Sequence, residues 1–184
     1  DELERLSESV KKAERRIERL NEELNERVKE VTKAIDDLNK RLNDESKRVK
    51  EELRKVLARS DREEVERKLR KLEEELDREN KRLNDESEKL KRELEERNKK
   101  VNERSKRLVE RLRRVLEEIR RRKVPEEVIK RVLDDVERAV DEVRKLIEDV
   151  LKEHEDILRE VKKELDKAIE RHKEILKRVR EDIK

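Results

Sequence analysis

The chain has 184 residues, of which 57 are Lys or Arg and 54 are Asp or Glu, so 60% of its side chains are charged while its formal net charge is only +3. Gly, Cys, Met, Phe, Tyr and Trp are absent and Pro occurs once, which removes thiolate chemistry, disulfides, phosphate-cradling glycine loops and aromatic platforms for bases or cations. Acidic and basic residues alternate throughout, so no basic stripe marks a nucleic-acid surface, no apolar run is long enough for a membrane span, and the opening DELERLSESV lacks the apolar segment of a signal peptide.

High charge with low hydropathy also marks disordered segments and lone solvated helices. Periodicity argues against both. In the first third, apolar positions fall at Leu6, Val10, Ala13, Ile17 and Leu20, then Leu24, Val28, Val31, Ile35 and Leu38, then Leu42, Val49, Leu53 and Val56, with Ser46 in the one remaining slot. Leu6, Leu24 and Leu42 open successive copies of one pattern. That 18-residue repeat is five turns at the natural α-helical pitch, so the stripe runs nearly straight with little supercoil. This predicts a first helix over about 2–59.

The string SDREEV at residues 60–65 offers a side-chain cap with a Glu three residues on, a capping box that opens a second helix over about 61–122. The period persists there in Val65, Leu83, Val101 and Ile119 and in Leu72, Leu90 and Leu108. Arg120 to Lys123 suit the negative end of that helix, and Pro125 with Glu126 and Glu127 suits the first turn of a third helix over about 125–183. That helix repeats through Ile129, Ile147, Leu165 and Ile183 and through Val143, Val161 and Val179. Two short loops force neighbours antiparallel. The expectation is an all-α, up-down-up antiparallel three-helix bundle with nearly untwisted coiled-coil-like packing, a single elongated domain over 1–184 with helices of about 60 residues, each roughly 90 Å long. The charged side chains become solvated outer faces with many i,i+4 pairs.

The residues outside the charged and aliphatic classes carry the most specific signal. All eight Asn lie in the first two helices, each one repeat away from another: Asn21 and Asn39, Asn25 and Asn43, Asn80 and Asn98, Asn84 and Asn102. Folding the first hairpin near residue 61 predicts cross-helix pairs whose numbers add to 123, namely Asn21–Asn102, Asn25–Asn98, Asn39–Asn84 and Asn43–Asn80. Paired amides beside an apolar seam fix register, because a slip strands buried donors and acceptors. Ser46, Ser87 and Ser105 join the same candidate network.

His154 and His172, also one repeat apart, occupy the slot that Val136 fills one repeat earlier and should face inward, with Ser46 almost level with His172. Positions separated by a full repeat on one helix stand about 27 Å apart and cannot share a metal ion, and a bundle without long loops supplies no concavity for acid–base catalysis. No catalytic, cofactor-binding or metal-binding residue is assigned. A structural histidine held neutral in the seam should have its pKa below the unfolded reference.

The missing residue types, strict repeat, near-equal helices, minimal loops and repeated polar layers resemble computationally designed (de novo) helical bundles. In that class an 18-residue repeat serves straight bundles, and Asn, Ser and His are placed in repeated hydrogen-bond layers. His154 and His172 make designed pH-responsive bundles the nearest likeness. The resemblance implies a thermostable scaffold with no natural biochemical activity, not an enzyme. It implies no cofactor, no required partner, no nucleic-acid or membrane role and no natural compartment, only solubility in the cytoplasm of an expression host. The third helix carries a wider apolar face, with doublets such as Val132-Leu133, Val150-Leu151 and Ala168-Ile169. Two seams within a monomer would use that width. The alternative is a subunit of a homo-oligomer, pH-responsive or otherwise, or a bundle that receives a designed partner.

Overall fold

Leu, Glu, Lys and Arg are strong helix formers and dominate every segment, with no glycine to interrupt them. The computed structural model describes residues 1–59 and 62–182 and contains three helices in order: α1 (Glu2–Arg59), α2 (Glu63–Arg121) and α3 (Glu126–Asp182). They pack side by side as an all-α, up-down-up three-helix bundle. The capping box proposed at Ser60 and Asp61, and the apolar slot at Ile183, lie outside the described residues.

The starts of α1 and α3 each have a local cause. Asp1 caps α1: its carboxylate accepts from the Leu3 backbone N–H at 3.3 Å and its carbonyl from Arg5 at 3.2 Å. At α3 the Pro125 carbonyl accepts from Val128 at 3.0 Å and from Ile129 at 3.4 Å. Pro125 therefore stands one position outside the first turn, where its missing N–H and fixed φ do no harm. Along the helices, basic residues three positions after an acid, such as Arg48 after Glu45 and Arg144 after Asp141, reach it at 3.4 and 3.7 Å. Such pairs add tenths of a kcal/mol each.

The chain forms two compact units, each containing a length of all three helices: residues 1–30 with 93–155, and residues 31–92 with 156–184. In the first unit Leu6, Ile17 and Leu24 of α1 pack with Leu108 and Leu112 of α2 and with Val136, Val143 and Ile147 of α3. The doublet residues Val132, Leu133, Val150 and Leu151 are half-buried against that core. In the second unit Val49 and Leu53 meet Leu69 and Leu76 of α2 and Leu176 and Val179 of α3, with Ile175 packed beside them. Among the described residues, Val128 at 37% is the large apolar side chain left exposed.

Candidate functional site: repeated polar layers

The 18-residue repeat places the same slots of α1, α2 and α3 at one level in each unit. In the first unit the Asn102 side-chain amide donates to Asn25 Oδ1 at 3.1 Å, and Ser105 Oγ donates to Asn21 Oδ1 at 3.3 Å. Asn21 turns its own Nδ2 to the Ile17 carbonyl, 3.0 Å away on the preceding turn. In the second unit Asn84 donates to Asn43 Oδ1 at 3.0 Å, the same slots one repeat on. Asn39 and Asn80 are buried, and their Oδ1 atoms, like those of Asn84 and Asn98, have no hydrogen-bond partner.

These bonds correct the expected pairing. The numbers of bonded asparagines add to 127 rather than 123, so Asn25 takes Asn102 instead of Asn98, Asn43 takes Asn84 instead of Asn80, and the Asn21–Asn102 and Asn39–Asn84 pairs do not form. Ion pairs between α1 and α2 follow the same rule: Glu14–Arg113 in one unit, Glu73–Arg54 and Asp77–Lys50 in the other. Side chains lean toward the N-terminus of their own helix. In an antiparallel pair the two leans are opposed, so partners that touch lie beyond those whose Cα atoms are level, and a count from the turn falls one helical turn short. The correction also brings Asn43 to an exposed position rather than into the seam.

His154 and His172 are each 1% exposed, yet their settings differ. Ser46 Oγ and His172 Nδ1 lie 3.2 Å apart in a buried hydrogen bond, and His172 Nε2 faces Glu79 Oε2 at 3.8 Å. With a carboxylate before Nε2, the proton belongs there and the serine hydroxyl donates to Nδ1. Glu79 is itself held by Arg171 at 2.6 Å. Neither ring nitrogen of His154 has a hydrogen-bond partner, and of the two nitrogens of His172 only Nδ1 has one. The slot that Ser46 holds in the second unit is Val28 in the first, and the slot of Glu79 is Arg97, which pairs with Glu153.

Burial is the main force that lowers both histidine pKa values from the ordinary imidazole range. For His154 the Arg97 guanidinium lowers it further and Glu153 opposes; for His172 Glu79 and Glu45 oppose burial, while Arg171 adds to it.

No protein family, characterised protein or solved structure matches this chain. Among the described residues no three His, Asp or Glu side chains gather so that they could hold a metal ion, and no helix is long and apolar enough to cross a membrane. The grooves beside the amide pairs, about 660 Å³ along Asn21, Asn25, Asn102 and Ser105 and about 490 Å³ along Asn43, Ser46, Asn80 and Asn84, are open and edged by mixed charge. The arrangement repeats one Asn–Asn bond at set heights and leaves the Oδ1 atoms of Asn39, Asn80, Asn84 and Asn98 without hydrogen-bond partners.

Sequence reasoning placed Ser46 beside His172 and missed Glu79 and Arg97. The signal was present: Glu79 and Arg97 stand one full repeat apart on α2, in step with the histidines on α3.

Proposed function

We propose that this chain is a non-enzymatic structural scaffold of the designed-bundle kind, a hyperstable monomer whose polar layers select one register of α1 against α2. The observation that carries this reading is the recurrence of one amide bond, Asn102 to Asn25 and Asn84 to Asn43, with the same number sum in both units. The part-buried Asn102–Asn25 bond contributes about 1 kcal/mol net, whereas a slipped register that leaves its amides buried and unpaired costs about 1–3 kcal/mol per group; the exposed Asn84–Asn43 bond adds less, because water replaces a lost partner there. The discrimination therefore exceeds the stabilisation, as a register device requires.

Replacing Asn25, Asn43, Asn84 and Asn102 with Leu should preserve or raise the thermal midpoint while splitting the amide NMR spectrum into several registers. A single spectrum identical in dispersion to the parent would overturn the reading. The runner-up, a subunit of a designed oligomer, draws on the wide face of α3. The inward packing of Val132, Leu133, Val150 and Leu151 favours the monomer. Light scattering coupled to size exclusion decides between them: 22.6 kDa at pH 7.5 and pH 5 fits the scaffold, and a multiple of that mass fits the oligomer.

A further inference from the structure

In the second unit a cavity of about 220 Å³ opens between α2 and α3. Its floor is Leu83, Leu90, Val161 and Leu165. Around this apolar floor stand three carboxylates, Glu86, Glu160 and Glu164, and the Ser87 hydroxyl, with no basic residue in the lining.

The repeat supplies an internal control. One repeat further along α2 the slot of Glu86 is Arg104, and one repeat back on α3 the slot of Glu160 is Glu142. There Arg104 donates to Glu142 Oε1 from Nη2 at 2.9 Å and from Nε at 3.3 Å. Leu146 occupies the slot of Glu164. The second unit thus replaces the cation of an ion pair with an anion and an apolar residue with a third carboxylate.

Glu160 and Glu164 also repel each other at i,i+4, which weakens the helix unless a cation lies between them. None of the three carboxylates makes an ion pair with a Lys or Arg among the described residues.

A second difference points into the same cavity. Ser105 donates to Asn21 in the first unit, and the corresponding residues in the second are Ser87 and Asn39. That bond is not made. Asn39 Oδ1 is buried without a partner, and the Ser87 hydroxyl, on a side chain only 3% exposed, lines the cavity with no hydrogen bond among the described residues. Among the described residues no three carboxylates are placed to hold a metal ion.

We propose that this cavity binds a small organic ammonium ion. An apolar body of about six carbons lies on the leucine and valine floor, since an apolar cavity of about 150 Å³ accepts benzene. The ammonium group sits among Glu86, Glu160 and Glu164, and one N–H donates to Ser87 Oγ. The site goes beyond the scaffold reading and does not depend on it.

The test is a methyl NMR titration at pH 7.5 with cyclohexylammonium chloride. Saturable shifts are expected at Leu83, Leu90, Val161 and Leu165, with a dissociation constant on the order of 1 mM for so small a ligand. Binding should weaken at least tenfold in the combined Glu86→Gln, Glu160→Gln, Glu164→Gln variant, and about threefold in Ser87→Ala. Glu164→Leu, which copies the first unit, should weaken it while retaining the helical circular dichroism of the parent. Cyclohexanol and ammonium chloride should each bind at least tenfold more weakly. Unshifted methyls, equal affinity for cyclohexanol, or equal shifts at Val101 and Leu108 in the first unit would each overturn the proposal.

Discussion

His154 and His172 hold the same slot of the same repeat, are equally buried, and live in opposite chemical settings. His172 has a hydroxyl on one nitrogen and a carboxylate before the other. His154 has two unpartnered nitrogens, a valine in the slot of the serine and an arginine in that of the glutamate. A repeat places residues with great regularity, but whether a polar residue stabilises depends on its slot-mates on the other helices. An unsatisfied buried polar group costs about 1–3 kcal/mol, and a satisfied one contributes about 1. His172 has one ring nitrogen satisfied and one without a hydrogen-bond partner, while His154 has two without, so the same residue type in the same slot differs in cost.

Substituting the ring is the strongest way to break this comparison. His154→Leu should raise the free energy of unfolding by about 1–3 kcal/mol, because an unpaired group leaves and aliphatic volume enters. His172→Leu should gain less or nothing, since it strands Ser46. Denaturant midpoints at pH 7.5 check both, and equal gains would mean that the Ser46 bond contributes nothing.

A smaller effect comes from giving the first unit the serine of the second. Val28→Ser loses aliphatic burial yet supplies His154 with a hydroxyl, so the net change should stay within about 1 kcal/mol. In a double-mutant cycle with His154→Leu, a coupling near about 1 kcal/mol would show the new bond. No coupling would show that the hydroxyl and the ring do not meet.

The smallest effect is electrostatic and is read by titration. Both histidines have folded pKa values below the unfolded one, so their neutral forms support the fold above about pH 6.5. That support is lost as pH falls from there through the folded value. With Arg97 beside it in place of Glu79, His154 should take up its proton at lower pH than His172, as imidazole NMR would record. Arg97→Glu should move His154 upward toward His172. Amide exchange on acidification should then rise first around residues 150–158 in the parent and lose that priority in the variant. A His154 titration untouched by Arg97→Glu would remove the guanidinium from the account.

Much of the fold was legible because one number, the 18-residue period, assigns a face to every aliphatic residue. The boundary at Pro125 was legible from chemistry special to that residue. The α1–α2 register was not, because counting from a turn compares Cα heights while hydrogen bonds form at side-chain tips, and those tips lean oppositely in antiparallel helices. The settings of the histidines were partly legible: Ser46 stood out as a polar residue on an apolar stripe. Glu79 and Arg97 stood among 57 basic and 54 acidic residues, marked only by their one-repeat separation in step with the histidines. The exposure of Asn43 beside its bonded partner Asn84 could not be read either, since Asn25 with the same Leu neighbour is half-buried.

The constant sum of 127 has a consequence for length. Ser7 with Arg120, Glu14 with Arg113 and Asn25 with Asn102 obey it in the first unit, and Asn43 with Asn84 and Glu73 with Arg54 obey it in the second. Because faces recur with every repeat, adding or removing one block of that size at the same level in all three helices should keep the faces in phase. A single-residue insertion in one helix, by contrast, rotates every later face by about 100°. Length is therefore quantised in this chain, in steps of about 27 Å per helix.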